Sequence, residues 1–177
     1  VAFDGRVVAC ALGRTGMTAL KREGDWATPI GRFRPLAALF RADRVVAPGG
    51  DLPLRDIRAD DGWADDVASA HYNRHVRLPF APSHESLIRD DHLYDVVVIT
   101  DHNRSPRVRG YGSAVFLHCA REGLAPTAGC VALPYAVWRR LGAALLRDRP
   151  VLVGTSGRPV RRVPEASPFF RGRRSAI

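Results

Sequence analysis

One histidine and one cysteine are spaced so that they could act together in nucleophilic catalysis. The stretch "FLHCAREGLAPTAGCVALP" (residues 116–134) begins as an apolar strand that carries His118 near its end, and it reaches Cys130 through a loop rich in Gly and Pro. A thiol is a good nucleophile at neutral pH when a histidine within hydrogen-bond reach removes its proton. We expect the loop to fold back so that the imidazole meets the thiol, with the amides of Gly129 and Cys130 placed to bind an oxyanion.

The other two cysteines are predicted to be structural. Alternate side chains of a strand face opposite ways, so Phe116 and His118 share one face and Cys119 lies on the other. Free cysteine is among the most buried residue types, and Cys119 and Cys10 (in "VVACAL") are interpreted as small buried apolar residues. Three cysteines do not form a disulfide framework, which leaves at least one free thiol.

The composition predicts one well-buried domain. The chain has 177 residues, of which 46% are hydrophobic, enough for a single core and too few for two. It lacks an apolar run of about eighteen residues, so we predict no transmembrane segment. The opening residues, "VAFDGRVVAC", show no basic region followed by an apolar one, so no export signal is visible in them.

The charge is strongly positive and is carried almost entirely by arginine. The net charge is +9, and Lys21 is the only lysine. The guanidinium fork binds carboxylates and phosphates alike, so such a surface suits nucleic acid, an anionic polymer such as cell wall, or a membrane face. A solvated surface without a partner is the other interpretation, because net charge bears on association rather than on fold.

The hydrophobic pattern predicts a mainly β fold with one clear helix. Strands are expected over "GRVVACAL", "VVVI", "GSAVFLHC" and "RPVLVG", and the second should be buried on both faces because it is continuously apolar and β-branched. Val137, Leu141 and Leu145 recur every four residues, which predicts an amphipathic helix over "PYAVWRRLGAALLRD". Residues 47–92 form a long polar excursion without sustained period, expected to be irregular and to help build a site.

The chain is predicted to divide into a catalytic domain and a tail. Residues 1–154 hold all the predicted regular elements. Residues 155–177 are rich in Pro, Arg and Ser without periodicity. We expect them to form a basic tail, which lies on the surface through Phe169 and Phe170.

Polar residues outside the Cys–His pair are candidates for the walls of a cleft. His102 and Asn103 follow a predicted strand at its C-terminal end, where they can either reach a bound peptide or form a simple turn. The excursion supplies four more candidates: Tyr72, Asn73, His84 and Glu85. Trp63 is expected to anchor the excursion by packing. The pair His71 and His75 lacks the third ligand of a zinc site, so no metal site is predicted.

Several motifs resemble those of one enzyme family. The stretch "GSAVFLHCAREGLAPTAGCVALP" resembles the signature of the L,D-transpeptidase catalytic domain (YkuD-type), in a variant subgroup with a GCVAL-like motif. "KREGDWATPIGRF" is similar to the family's TPxGxF segment, and "DGWADD", "AHYNRHVRLP", "SHESL" and "LYDVVVITDHN" are similar to a periplasmic subgroup. The resemblance covers residues 5–154 and implies a mixed β-sheet fold, sandwich-like or barrel-like, with a helix after the nucleophile.

The resemblance assigns roles to individual residues. It implies that Cys130 is the nucleophile and His118 the general base. The backbone carbonyl of Cys119 would orient the imidazole, and Thr127 and Gly129 match the turn before the nucleophile.

Two positions depart from the family pattern. Ala128 stands where His or Glu is usual, and Ala132 stands where Arg or Asn is usual. The contacts that those side chains make to the substrate must come from elsewhere. The acceptor and the type of cross-link therefore stay open.

The activity implied by the resemblance is acyl transfer between peptidoglycan stem peptides in the periplasm. The cysteine would form a thioester with a stem tetrapeptide, release D-Ala, and pass the acyl group to an amine of a second stem in a 3,3- or 1,3-type cross-link. No metal or organic cofactor is needed. Water as acceptor would give carboxypeptidase activity, and a free D-amino acid would give exchange.

Two alternatives stay open at this point. A thiol hydrolase or L,D-carboxypeptidase on the same scaffold would cleave a wall peptide without joining two of them. A basic nucleic-acid-binding module would use the arginine surface. However, no recognised module pattern is present and aromatic residues are not interleaved with the basic ones, so no nucleic acid partner is expected. The sequence predicts no particular oligomeric state.

Overall fold

Short β-strands dominate the fold. The computed structural model describes residues 1–3, 5–154 and 161–162. In this part of the chain the strands are β1 Ala2–Phe3, β2 Arg6–Val7, β3 Met17–Thr18, β4 Thr28–Pro29, β5 Gly31–Phe33, β6 Pro35–Phe40, β7 Leu54–Asp56, β8 Asp61–Ala64, β9 Arg74–Arg77, β10 His84–Ser86, β11 Val96–Thr100, β12 Phe116–Cys119, β13 Val131–Leu133, β14 Val151–Val153 and β15 Arg161–Arg162. The described residues also form one α-helix and two 3-10 turns: α1 Tyr135–Leu145, His92–Tyr94 and Glu122–Leu124. The prediction of a mainly β fold with one helix is confirmed.

A five-stranded sheet in the order β13-β12-β11-β6-β7 forms the centre of the fold. β11 pairs antiparallel with β6 and β12, whereas β12 pairs parallel with β13. β11 contains the predicted β-branched run, and it is buried on both faces as expected. Val96 and Val98 lie in one apolar core and Val97 in another. The sheet therefore separates two cores.

The larger core joins the central sheet to α1 and to a second five-stranded sheet, ordered β15-β2-β1-β14-β5. The predicted apolar face of α1 packs on it: Leu145 is buried, and Val137 and Leu141 lie at its margin. Cys119 is buried in this core as predicted. Cys10 is only half buried, at the margin of this core, and its sulfur accepts a hydrogen bond from the Val1 backbone nitrogen. All three cysteines are free thiols.

The excursion over residues 47–92 is more ordered than the sequence predicted. It contains β7 to β10, and the last three of these form a separate sheet in the order β10-β8-β9. These strands are only three or four residues long, which is too short for a clear alternating pattern. Trp63 is 1% exposed and packs edge-on against Phe116 in the smaller core, as expected for a packing anchor.

A buried carboxylate holds the excursion together. Asp61 is fully buried and accepts hydrogen bonds from the Arg55 guanidinium (2.7 Å) and the Arg58 amide (2.8 Å). His75 Nε2 lies 2.7 Å from the same carboxylate. Burial alone would raise the pKa of Asp61, but these hydrogen bonds hold that pKa well below its ordinary value. His75 is therefore a hydrogen-bond partner of Asp61 in the described structure.

The predicted basic tail, residues 155–177, lies outside the described residues except at β15. β15 pairs parallel with β2. Within the described residues, no helix is long and apolar enough to cross a membrane.

Replacing Leu133 by Ala should destabilise the fold strongly. Leu133 is 0% exposed in the larger core, and its truncation leaves a cavity that should lower the free energy of unfolding by about 2–5 kcal/mol. Urea unfolding followed by tryptophan fluorescence measures this loss. Leu20→Ala is the matched control at a side chain 78% exposed, where a change within about 0.5 kcal/mol is expected. Equal losses in the two variants would contradict the described core.

Candidate active site

Parallel pairing of β12 with β13 brings Cys130 next to the start of β12. Cys130 directly precedes β13, and the register sets His118 opposite Ala132. The Cys130 thiol donates a hydrogen bond to the carbonyl of Ala114 (3.0 Å) and accepts one from the Phe116 N–H (3.4 Å). The sulfur is thus held against the backbone that leads into β12.

Cys130 and His118 line the same cleft, whose volume is about 350 Å³. Its walls come from three parts of the chain: the segment 14–26, the excursion with the turn that follows it, and the stretch 113–132. Within the described residues, no hydrogen bond joins the thiol to the imidazole in this state. Both groups open onto one cavity.

The imidazole of His118 is oriented by the backbone. Nδ1 lies 2.8 Å from the carbonyl oxygen of Cys119. A carbonyl oxygen only accepts hydrogen bonds, so Nδ1 carries the proton and Nε2 of the neutral ring is left as a proton acceptor. Tyr94 packs edge-on against the ring, with the ring centroids 5.4 Å apart. The Trp138 indole N–H donates to the His118 carbonyl (3.2 Å), which fixes the strand on the helix side.

Burial keeps both groups of the pair neutral. It raises the pKa of the Cys130 thiol to about 12, and the negative charge of Glu85 adds to this rise. Burial also lowers the pKa of His118 to about 4, against the opposing effect of the Cys119 carbonyl. At neutral pH the site therefore holds a thiol beside a neutral imidazole, the form that can accept a proton.

Two threonines hold the turn that precedes the sulfur. Thr127 donates from its hydroxyl to the Cys130 carbonyl (2.7 Å), and the same hydroxyl accepts from the Gly129 N–H (3.1 Å). The Thr28 hydroxyl donates to the same carbonyl (3.3 Å) and accepts from the Gly13 N–H (2.7 Å). The sequence predicted a place for Thr127 in this turn but gave no role to Thr28. The signal for Thr28 was its place in the segment similar to TPxGxF.

The expectation that two amides face an oxyanion is corrected at Gly129. Its N–H already donates to Thr127, so this donor is engaged. None of the hydrogen bonds found among the described residues uses the Cys130 N–H, which stays available. Gly129 has a φ of +138°, and a Cβ there would lie 3.0 Å from the Ala27 carbonyl oxygen. Glycine is needed here for conformation and for close packing.

Asn73, a candidate for the wall of the cleft, is instead a buried brace. It is 2% exposed and does not line the cleft. Its Oδ1 accepts hydrogen bonds from the Trp63 indole (3.0 Å) and the Ala114 N–H (3.1 Å). Its Nδ2 donates to the carbonyls of His102 (3.2 Å) and Asn103 (2.8 Å). Asn73 therefore joins the excursion to the backbone whose carbonyl holds the thiol.

His102 and Asn103 also lie outside the cleft lining. His102 Nε2 is 3.0 Å from the Tyr111 carbonyl. The Asn103 amide donates to the carbonyls of Val108 (2.8 Å) and Gly112 (2.9 Å). Both side chains satisfy the backbone of their own loop, which is a common use of polar residues in turns.

Tyr72 and His84 do not line the cleft either. Tyr72 is 1% exposed, and its hydroxyl donates to the carboxylate of Glu23, a residue that does line the cleft. His84 Nδ1 lies 2.9 Å from the Pro82 carbonyl. The excursion was correctly expected to help form the cleft, but Tyr72 and His84 are not the side chains that do so.

Charged side chains line the cleft, and most of them were not predicted from the sequence. They comprise four cations and three anions: Arg14, Lys21, Arg89, Arg121, Glu23, Asp65 and Glu85. Glu85 alone among them was a candidate from the sequence. Charged residues in polar segments are common at any surface, so the sequence pattern carried no signal for the others. Within the described residues, no group of three or more His, Cys, Asp or Glu side chains could hold a metal ion.

Replacing Asn73 by Ala should destabilise the protein and loosen the site together. The change leaves one buried indole group and three partly buried backbone groups without their partner, and an unsatisfied buried polar group costs about 1–3 kcal/mol. Urea unfolding should show a loss of at least about 2 kcal/mol. Hydrogen exchange should show faster exchange at the Ala114 amide. Unchanged stability and exchange would contradict the bracing role.

The imidazole of His118 should titrate well below an ordinary histidine. Its pKa of about 4, against an ordinary 6.5, follows from burial of the ring. The unfolded chain takes up this proton near pH 6.5 and the folded chain only near 4, so the folded state loses stability as the pH falls through that window. NMR titration of isotopically labelled histidines measures the midpoint. A midpoint at or above 6.5 for His118 would contradict the described burial.

Comparison with protein families identifies the domain. The family model of the L,D-transpeptidase catalytic domain (YkuD) matches residues 2–155. Members of this family act on peptidoglycan of the cell wall, outside the cytoplasm. No curated protein and no solved structure gives a significant match to the chain. Because the family model spans most of the sequence, the chain belongs to the L,D-transpeptidase catalytic domain family.

Proposed function

We propose that the chain is a cysteine-dependent peptidoglycan L,D-transpeptidase in which Cys130 is the nucleophile and His118 the general base. The observation that supports this most directly is their shared cleft, in which the Cys119 carbonyl leaves Nε2 of His118 as the proton acceptor. In this proposal residues 1–154 are the catalytic domain and residues 155–177 a basic tail. The enzyme works in the periplasm, where its substrate lies.

Acylation begins with a donor stem tetrapeptide in the cleft. Nε2 of His118 takes the thiol proton as the sulfur attacks the carbonyl carbon of the third residue. The new C–S bond moves the π electron pair onto the carbonyl oxygen. The resulting oxyanion collapses, the C–N bond breaks, and the amine of the leaving D-Ala takes the proton from the imidazolium. A thioester on Cys130 remains.

The neutrality of the resting pair decides how the proton moves. A thiol with a pKa of about 12 beside an imidazole with a pKa of about 4 does not form a stable ion pair. Transfer of the proton to His118 is therefore coupled to the attack on the carbonyl, when the charge passes from sulfur to oxygen. The rate of acylation then depends strongly on the groups that stabilise the oxyanion.

Transfer to the second stem reverses these steps. The acceptor amine gives a proton to His118 as its nitrogen attacks the thioester carbonyl. The C–S bond breaks, and the sulfur recovers its proton from the imidazolium. The product is a cross-link through an L-centre carbonyl, of 3,3 or 1,3 type according to which amine attacks. Water in the acceptor place gives L,D-carboxypeptidase activity instead.

The lining of the cleft suits a stem peptide, which carries both carboxylates and amines. Both cationic and anionic side chains line the cavity, so groups of either sign can be bound. The small residues Ala128 and Ala132 both line it, where the family usually has larger polar side chains.

Removing the sulfur or the base should abolish product formation from tetrapeptide-rich peptidoglycan. Incubation with the unaltered protein should yield dimeric muropeptides by mass spectrometry, and Cys130→Ala should yield none. His118→Gln should lower the rate by about 10²–10⁴-fold, the usual contribution of a general base. Cys10→Ala and His84→Gln are matched controls at residues outside the cleft and should retain activity.

The products separate the proposal from its alternatives. Dimers that depend on Cys130 support transfer. Trimmed monomers alone would identify a thiol hydrolase or carboxypeptidase on the same scaffold. Activity that survives Cys130→Ala would contradict the proposed nucleophile.

A further inference from the structure

We propose that Lys21 is a catalytic residue whose ammonium group binds the oxyanion formed when Cys130 attacks its substrate. The inference rests on the proposed function and adds to it the group that supplies positive charge to the reacting carbonyl. It follows from three observations: the placement of the only lysine in the chain, the anchoring of its ammonium group, and the engagement of the Gly129 N–H by Thr127.

Lys21 lies in a space made by two glycines. Its side chain is 8% exposed and lines the cleft with Cys130. A Cβ at Gly112 would lie 2.8 Å from Cγ and 2.9 Å from Cε of Lys21, so any other residue there would collide with the lysine stem. A Cβ at Gly129 would lie 3.3 Å from Nζ. The ammonium group is therefore directly beside the residue that precedes the nucleophile.

A single carboxylate anchors the ammonium group. Lys21 Nζ donates to Asp25, four residues further along the same loop. Asp25 also accepts from the amides of Arg22 (2.8 Å) and Ala27 (2.9 Å). Burial acts to raise the pKa of Asp25, but these hydrogen bonds hold that pKa below its ordinary value and keep the carboxylate charged. An ammonium group has three N–H donors, and Asp25 is the partner described for it, which leaves donors for a bound oxygen.

The oxyanion needs a donor that the backbone does not fully provide. The Gly129 N–H is engaged by Thr127, whereas no hydrogen bond among the described residues uses the Cys130 N–H. The positive charge of Lys21, which lies beside Gly129, can stabilise the oxyanion in place of the Gly129 N–H. The charge of Lys21 already acts on the sulfur, because it opposes the rise in the pKa of the Cys130 thiol.

The other cations of the cleft are engaged elsewhere. Arg14 is exposed and lies over the Trp26 ring, 4.3 Å from its centroid. Arg89 forms a two-pronged ion pair with Asp91 (2.9 and 2.8 Å). Arg121 is exposed, 3.8 Å from the same carboxylate. Lys21 is the cleft cation that is both buried and adjacent to the nucleophile turn.

The test compares Lys21→Met with Arg34→Met, which removes the same unit of charge at an exposed side chain outside the cleft. Acylation of Cys130 by a stem tetrapeptide is followed by quenched-flow mass spectrometry over a range of donor concentrations. Lys21→Met should acylate about 10²–10³-fold more slowly, the usual effect of losing one oxyanion donor, at an unchanged half-saturating concentration. Arg34→Met should change the maximal acylation rate by less than about threefold.

Alkylation of Cys130 by iodoacetamide gives the second measurement, since this reaction needs the thiolate and forms no oxyanion. In Lys21→Met, alkylation should slow much less than acylation does. Equal slowing of both reactions would mean that Lys21 acts on the thiol alone, and this would overturn the proposal. A raised half-saturating concentration with an unchanged maximal rate would also overturn it, because Lys21 would then bind a substrate carboxylate.

A folding control completes the design. Thermal unfolding of each variant is measured first, and if Lys21→Met is unfolded at the assay temperature, Lys21→Gln takes its place with the same expected losses. Failure of the unaltered protein to acylate at Cys130 would contradict the proposed function itself. Normal acylation by the unaltered protein and an equal rate in the Lys21 variant would overturn only the role of Lys21.

Discussion

The parallel pairing of β12 with β13 is the constraint on which the site depends. Parallel neighbours cannot be joined by a tight turn, so the chain must leave the end of β12 and return to its start, and residues 120–130 make that connection. The return places Cys130 against the backbone that leads into β12, while His118 stays on the strand itself. A slip of one residue in β12 would turn the imidazole into the larger core and bring Cys119 to the cleft. Chemistry and core packing therefore demand the same register.

Burial sets the chemical character of the pair. An apolar setting disfavours the thiolate and the imidazolium alike, so the resting groups are neutral and the charged forms exist only during reaction. The charge of Lys21, paired with Asp25, lies close by, beside Gly129. Such an arrangement protects the sulfur from unproductive reaction and confines charge to the moment when a substrate carbonyl can share it.

The sequence predicted the parts of the site that local structure defines. His118 closes a strand, and Thr127 to Cys130 form a turn, so their positions follow from alternation and turn chemistry within one stretch of chain. Asn73 and His102 could not be predicted in the same way, because a polar side chain near a site can face the ligand or satisfy the backbone, and only tertiary packing decides which. The position of Lys21 could not be predicted either, because its side chain lies in space left open by Gly112 and Gly129, which are far away in sequence.

Trapping the acyl-enzyme during turnover tests directly whether Cys130 is the nucleophile. The protein is mixed with stem tetrapeptide donor, quenched in acid, digested, and mapped by mass spectrometry. We expect a donor acyl group that has lost its terminal D-Ala, attached as a thioester to the peptide that contains Cys130. Product formation with no adduct on Cys130, or with the acyl group on another residue, would contradict it.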